Sequence, residues 1–194
     1  LADSNIYEAR ASVRRKIYQL MELKLQVPDN ERVAQEDQFT ELKTSIIYPA
    51  AKHMLPAERE QMTEILKVIS SFLNSRGGRL LVGVDDSGYA VGLHNDFTYL
   101  NNRHEKYDLA DVKDKFDRTV RDNVRNRLGR VANSRISGSF ETIGTKTIYR
   151  LDIEPSPEVA LVDGVAYERQ GSSKWPVPAA DLEAFTAARR EEFA

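Results

Sequence analysis

Hydrophobic positions recur every three or four residues in four segments of the chain, and this spacing is typical of amphipathic helices. The predicted helices cover residues 4–27, 56–76, 109–128 and 179–190. Pro28 ends the first of them, because proline restricts the residue before it and lacks a backbone N–H. Glycines follow the second and third, as is common at helix C-termini.

Shorter segments are rich in β-branched residues or alternate between apolar and polar positions, which predicts strands. These segments cover residues 39–48, 79–84, 89–93, 135–143, 146–153, 160–162 and 165–169. Together with the helices they predict an α+β fold, with a mixed α/β sheet and flanking helices. We expect an N-terminal helix and linker over residues 1–35 and one folded domain over residues 36–190.

Composition and net charge exclude several classes of protein. The chain has 194 residues, no cysteine and a formal net charge of -2. Disulfide scaffolds and cysteine-based sites are therefore excluded. No apolar run reaches the roughly 18 residues of a membrane span, and the first residues do not resemble a signal peptide, so we expect a cytoplasmic protein without membrane contact. Near-neutrality argues against coating nucleic acid through bulk charge.

Basic charge is nevertheless concentrated in one segment. Residues 118–135 hold six arginines against one aspartate. Within the predicted helix, Arg118, Arg121 and Arg125 share one face, which could follow a row of phosphates. The alternative is an ordinary solvated face. Four aromatic residues could stack on bases or belong to the core or its rim: Tyr99, Tyr107, Tyr167 and Trp175.

Acidic residues suggest a second kind of site. On a strand, Glu41 and Lys43 share a face, and Glu36 lies just before that strand. Converging carboxylates can hold a hard divalent cation, and a nearby Glu-x-Lys pair can activate water. The alternative is a solvated ion pair. Asp85 and Asp86 follow a buried strand, where they could border a site or simply form a turn.

Two further segments could contact phosphate. The paired glycines Gly77 and Gly78 could present backbone N–H groups to an anion, or they could form a plain turn. Arg169, followed by Gly171 and two serines, could bind a phosphate or order a neighbouring loop. Neither standard nucleotide-binding glycine motif occurs in the chain.

Four motifs occur in the order found in Schlafen AlbA-like domains, which the chain resembles from about Glu36 to Phe185. They are Glu41-Leu-Lys-Thr-Ser45, Ile69-Ser-Ser-Phe-Leu-Asn-Ser-Arg-Gly-Gly-Arg-Leu-Leu-Val-Gly-Val-Asp-Asp-Ser-Gly88, Val91-Gly-Leu93 and Gly164-Val-Ala-Tyr-Glu-Arg-Gln-Gly-Ser-Ser173. The resemblance implies a single-lobed DNA-binding module of a larger bacterial-type protein, either a transcriptional regulator or an ATP-binding protein. Arg118, Arg121, Arg125, Lys43 and Arg169 would then contact the nucleic acid.

The same resemblance implies an enzymatic alternative, because some Schlafen proteins are metal-dependent nucleases of structured RNA. Their carboxylates correspond here to Glu36, Glu41 and Asp85, with Asp86 as a substitute, and the metal would be Mg²⁺ or Mn²⁺. Those nucleases pair two lobes, whereas this chain has one and carries an insertion-like loop over residues 49–56. A nucleotide-binding or oligomerisation module is a third alternative, with a homodimer formed through the N-terminal helix or the sheet.

Overall fold

A computed structural model describes residues 32–49 and 55–193 of the chain. The predicted helix over residues 4–27 lies outside the described residues, as does the first part of the predicted linker. The described residues contain a four-stranded mixed sheet, a small second sheet and five α-helices. The predicted fold class, a mixed sheet with flanking helices, is confirmed.

The larger sheet combines one parallel pair with two antiparallel pairs, in the order β1-β2-β4-β3. Its strands are β1 (Thr40–Lys43), β2 (Gly78–Val82), β3 (Ile136–Ile143) and β4 (Lys146–Ile153). The parallel pair is β1 with β2. The smaller, antiparallel sheet contains β5 (Leu161–Val162), β6 (Val165–Gln170) and β7 (Ser173–Pro176) in that order.

The helices are α1 (Glu58–Leu73), α2 (His94–Leu100), α3 (Leu109–Arg127), α4 (Arg130–Ser134) and α5 (Leu182–Glu192), the last preceded by a 3₁₀ turn. Asp108 caps α3 by accepting hydrogen bonds from the N–H groups of Ala110 and Asp111. Periodicity does not predict α2 or α4, because five to seven residues are too few to establish it. No described helix has both the length and the apolar character that crossing a membrane requires.

Helices α1 and α3 pack on one face of the larger sheet and enclose the main core. Leu80 and Val82 of β2 point into this core, while Leu81 points to a smaller apolar cluster on the opposite face with Leu42 and Ile148. β2 is therefore buried on both faces, which explains its continuous apolar sequence.

The first strand is shorter than predicted. β1 ends at Lys43, and the following residues form a loop instead of continuing to Tyr48. The hydroxyl of Ser45 accepts hydrogen bonds from the N–H groups of Ile47 and Tyr48 at 2.9 and 2.8 Å. These local side-chain bonds satisfy backbone donors that a longer strand would have paired, so the strand stops there.

Candidate nucleic-acid interface

Helix α3 has an apolar face and a basic face. Val112, Phe116, Val120 and Val124 are buried in the main core. By helical geometry, the three arginines predicted to contact phosphate lie on the opposite, solvent-facing side. The side chains of Arg118 and Arg121 are 64% and 35% exposed, and Arg125 is also exposed.

Two of these arginines are paired with aspartates one turn earlier. Arg118 donates to Asp114, and Nε of Arg121 donates to Asp117 at 2.6 Å. Both aspartates precede the segment with six arginines, so that count overstates the free positive charge of the helix. No acidic residue lies within ion-pair distance of Arg125 in the described ranges, which leaves its guanidinium available.

The two ion pairs differ in how easily a phosphate could take the place of the aspartate. Exposed ion pairs one helical turn apart contribute only about 0.3–0.5 kcal/mol, so a phosphate can replace Asp114 beside Arg118. Asp117 also accepts a hydrogen bond from the hydroxyl of Tyr149 at 2.6 Å, and Tyr149 is buried in the core. Arg121 therefore holds part of the packing between α3 and β4, whereas Arg118 and Arg125 are open to solvent.

The carboxylate of Glu41 lies between two cations. It accepts hydrogen bonds from Nζ of Lys43 and Nη1 of Arg169, each at 2.7 Å. Glu41 is only 6% exposed. Burial raises the pKa of Glu41, but the charges and hydrogen bonds of Lys43 and Arg169 outweigh this effect and hold the pKa below its usual value.

Arg169 connects the two sheets. Its guanidinium stacks over the ring of Phe72 at 4.6 Å and donates to the carbonyls of Asp37 and Thr40 at 3.0 and 3.3 Å. Its side chain is 3% exposed. Of the two alternatives for Arg169, the structure shows that it orders neighbouring segments. Phosphate binding by Lys43 and Arg169 stays a prediction, and it would require their bonds to Glu41 to break.

The remaining predicted metal ligands have separate hydrogen-bond partners. Glu36 accepts from the N–H of Leu42 at 3.1 Å, and Asp85 accepts from the N–H groups of Ser87 and Tyr89, each at 3.0 Å. Asp86 is exposed in the same turn. Across the described residues, no group of three or more histidines and carboxylates is placed to hold a metal ion.

A divalent cation at Glu41 would meet two positive charges that already neutralise this carboxylate. It would have to displace Lys43 or Arg169, at the cost of a buried ion pair. Metal binding by Glu36, Glu41, Asp85 and Asp86 therefore stays a prediction that needs a rearrangement of this cluster.

Sequence reasoning did not identify the structural roles of Asn74 and Arg189. Asn74 donates to the carbonyls of Ala160 and Tyr167 and accepts from the N–H of Ala160, at 2.8 to 2.9 Å. In the sequence, the position of Asn74 shortly before the paired glycines was a signal that could have indicated this role. Arg189 is buried. Its neighbours in the sequence of the helix are charged, so nothing in the sequence distinguishes it from an exposed arginine.

Asn74 and Arg189 border an open cavity of about 430 Å³ beside the glycine turn. Gly77, Gly171 and the exposed Arg76 also line it. The cavity therefore combines backbone at two glycines with one cation that points to solvent.

Comparison with protein families identifies a relationship that covers most of the chain. The family model described as "Schlafen, AlbA_2" matches residues 36–178. The chain belongs to this family. Membership of the Schlafen AlbA_2 family indicates a domain of the nucleic-acid-binding type. The matched residues include α1, α3 and both sheets. A search of curated proteins finds no match.

Among solved structures, the AlbA_2 domain is similar to the DIP2311 protein from Corynebacterium diphtheriae. The TM-score is 0.53 and the sequence identity 16%, and the alignment covers 78% of this chain and 27% of that one. At this identity the similarity concerns the fold alone. The chain thus spans about a quarter of the length of that protein.

Proposed function

We propose that this AlbA_2 domain binds nucleic acid through the solvent-facing side of α3. The observation that supports the proposal is the row formed by the exposed Arg118 and Arg125 and the half-buried Arg121, on a helix whose apolar side packs in the core. From Arg118 to Arg125 the helix rises by seven residue steps, or roughly 10 Å along its axis at about 1.5 Å per residue. The backbone of the helix is already ordered and holds the cations at constant spacing, so binding a row of phosphates costs little backbone conformational entropy.

The strength of binding should depend on the number of arginines that are free. Arg125 contacts a phosphate without losing an ion pair, and Arg118 gives up only an exposed pair. Arg121 keeps its bond to Asp117, which offsets its charge, so it should contribute less to binding than the other two arginines. We therefore expect a local, salt-sensitive interface, consistent with a chain whose net charge is only -2.

As a finer proposal, the domain is a DNA-binding module of a larger cytoplasmic regulatory or ATP-binding protein. A homodimer stays a prediction, to be checked by sedimentation of the sample used for binding.

The test is fluorescence anisotropy with labelled DNA and RNA duplexes over a series of salt concentrations. Arg118→Gln and Arg125→Gln should each weaken binding and reduce the slope of log K against log salt by about 0.9, the value for one lost phosphate contact on B-DNA. Arg79→Gln is the matched control, because β2 places Arg79 on the opposite face of the sheet from α3.

Two results would contradict the proposal in different ways. If the duplexes bind but both α3 variants keep the wild-type slope, the interface lies elsewhere. If no DNA or RNA duplex binds even at low salt, nucleic-acid binding by this surface is wrong.

A further inference from the structure

Trp175 differs from the other aromatic residues that were candidates for stacking. It is the single tryptophan of the chain and is 54% exposed. Tyr99, Tyr107 and Tyr167 are partly buried and pack against the main core. The structure therefore leaves Trp175 as the candidate whose aromatic surface is open to solvent.

The register of the smaller sheet explains this exposure. Three inward residues of β6 and β7 contact α1: Tyr167 lies under Lys67, Arg169 stacks on Phe72, and Lys174 pairs with Glu64. Side chains alternate along a strand, so the intervening Trp175 points away from α1. Glu168 is directly opposite Trp175 in the ladder and points the same way.

Two hydrogen-bonding side chains, Glu168 and Gln170, share the face of the hairpin that carries Trp175. Nε2 of Gln170 donates to Glu168 at 2.7 Å, on the same side of the hairpin as Trp175. This contact leaves the second carboxylate oxygen of Glu168 and the amide oxygen of Gln170 as acceptors. Glu168 also lines the cavity of about 430 Å³ that contains Arg76. Glu168 therefore borders both the face of the hairpin that carries Trp175 and the cavity that Arg76 lines.

The polar surroundings favour a nucleobase over a protein partner. The core of a protein interface is depleted of charged residues, whereas the solvent-accessible neighbours of Trp175 on its face of the hairpin are polar: Glu168, Gln170 and Ser173. A base has an apolar face for stacking and a polar edge for hydrogen bonds, and stacking on one aromatic side chain contributes about 1–3 kcal/mol. Duplex bases are already stacked, so the base must be unpaired.

We propose that the β6–β7 hairpin binds one unpaired base of a single-stranded nucleic acid. The base would stack on Trp175, its amino group would face the acceptors of Glu168 and Gln170, and the adjoining phosphate would lie toward Arg76. This inference rests on the proposed function for the class of ligand, but it uses a surface on β6 and β7 and not α3.

The single tryptophan provides a direct measurement, because fluorescence excited at wavelengths beyond the tyrosine absorption band reports on Trp175. We expect saturable quenching by pentamers of deoxyadenylate and of adenylate, and weaker or no quenching by an abasic pentamer. Adenosine monophosphate should bind more weakly than either pentamer. Equal quenching by the abasic pentamer, or mononucleotide binding as tight as pentamer binding, would overturn the proposal.

Variants test the contribution of the indole by anisotropy of a labelled pentamer. Trp175→Ala should weaken binding about 5- to 150-fold, which corresponds to about 1–3 kcal/mol, and Trp175→Phe should keep most of the affinity. Phe193→Ala is the control, since Phe193 is an aromatic residue 40% exposed on another element. Unchanged affinity of Trp175→Ala contradicts the proposal.

The two proposals can fail separately. Loss of quenching with intact, α3-dependent duplex binding overturns the stacking site alone. Intact quenching with no effect of the α3 variants on duplex binding overturns the α3 interface alone.

Discussion

Asp96 is a buried carboxylate with no cationic partner among the described residues. It is 1% exposed, and its Oδ1 accepts hydrogen bonds from the hydroxyl of Ser45 and the N–H of Ile46, each at 2.9 Å. Burial raises the pKa of Asp96 to about 6, against the opposing effect of these hydrogen bonds. Asp96 thus orders the loop after β1, although burying its charged form destabilises the folded state.

We expect Asp96→Asn to remove a pH dependence of stability. Between about pH 4 and 6 the folded protein binds more protons at Asp96 than the unfolded chain does, so this residue lowers stability as the pH rises. Raising the pKa of Asp96 from its ordinary value of 3.8 to about 6 corresponds to about 3 kcal/mol. Asparagine retains an acceptor for Ser45 and Ile46.

The measurement is urea unfolding of both proteins at several pH values. The free energy of unfolding of Asp96→Asn, relative to wild type, should increase from pH 4 to pH 7. A constant difference across this window would show that Asp96 does not titrate there.

At the scale of elements, Arg189 of α5 caps the C-terminal end of α1. Its Nη2 donates to the carbonyls of Leu73 and Ser75 at 2.7 and 2.9 Å, and its Nε donates to the carbonyl of Ser156 at 2.9 Å. The last turn of α1 contains no basic residue of its own. Burial lowers the pKa of Arg189, but an arginine stays protonated at neutral pH.

Arg189→Met should lower the free energy of unfolding by about 2–4 kcal/mol, because several buried carbonyls lose a charged donor. Arg190→Met is a matched control, since Arg190 is the next residue of the same helix and is exposed. Chemical denaturation measures both. Equal effects of the two variants would contradict the capping role.

At the scale of the whole molecule, the pair of Glu41 and Arg169 joins β1 of the larger sheet to β6 of the smaller one. The residues are 128 positions apart in the sequence. Removing Glu41 leaves the buried guanidinium of Arg169 without a counter-charge, which costs about 3–5 kcal/mol. Removing Arg169 costs less, because Glu41 keeps its ion pair with Lys43. The pair therefore holds the two sheets together as long as both members are charged.

A double-mutant cycle with Glu41→Gln and Arg169→Met measures this coupling by urea unfolding. Glu41→Gln should be strongly destabilised, and Arg169→Met less so because Lys43 still pairs with Glu41. The double variant should be destabilised by less than the sum of the two, with a coupling of about 1 kcal/mol or more. Additive effects would indicate that the two side chains act independently.

The contribution of Glu41 to the free energy of unfolding should also depend on pH. Because the pKa of Glu41 is below its usual value, its contribution is present above the unfolded pKa, about 4.5, and is lost as the pH falls through the folded value. The stability difference between wild type and Glu41→Gln should therefore shrink in acid.

Much of the fold was predictable from the sequence because the responsible interactions are local. Periodicity predicts α1 and α3, a continuous apolar run predicts β2, and a short turn predicts the β3–β4 hairpin. The predicted position of Arg118, Arg121 and Arg125 on one helical face follows from the same periodicity. The pairing of Arg118 with Asp114 and of Arg121 with Asp117 is local as well, since the members of each pair are four residues apart.

The tertiary structure decided everything that depends on distant residues. Only the packing of β6 on α1 and β1 shows that Arg169 is buried against Glu41, and that Trp175 faces solvent. Likewise, the burial of Asp96 beside Ser45 and of Arg189 beneath α1 follows from contacts more than 30 positions apart. Sequence patterns determine local conformation and faces, whereas burial and pairing of charges depend on which surfaces the fold brings together.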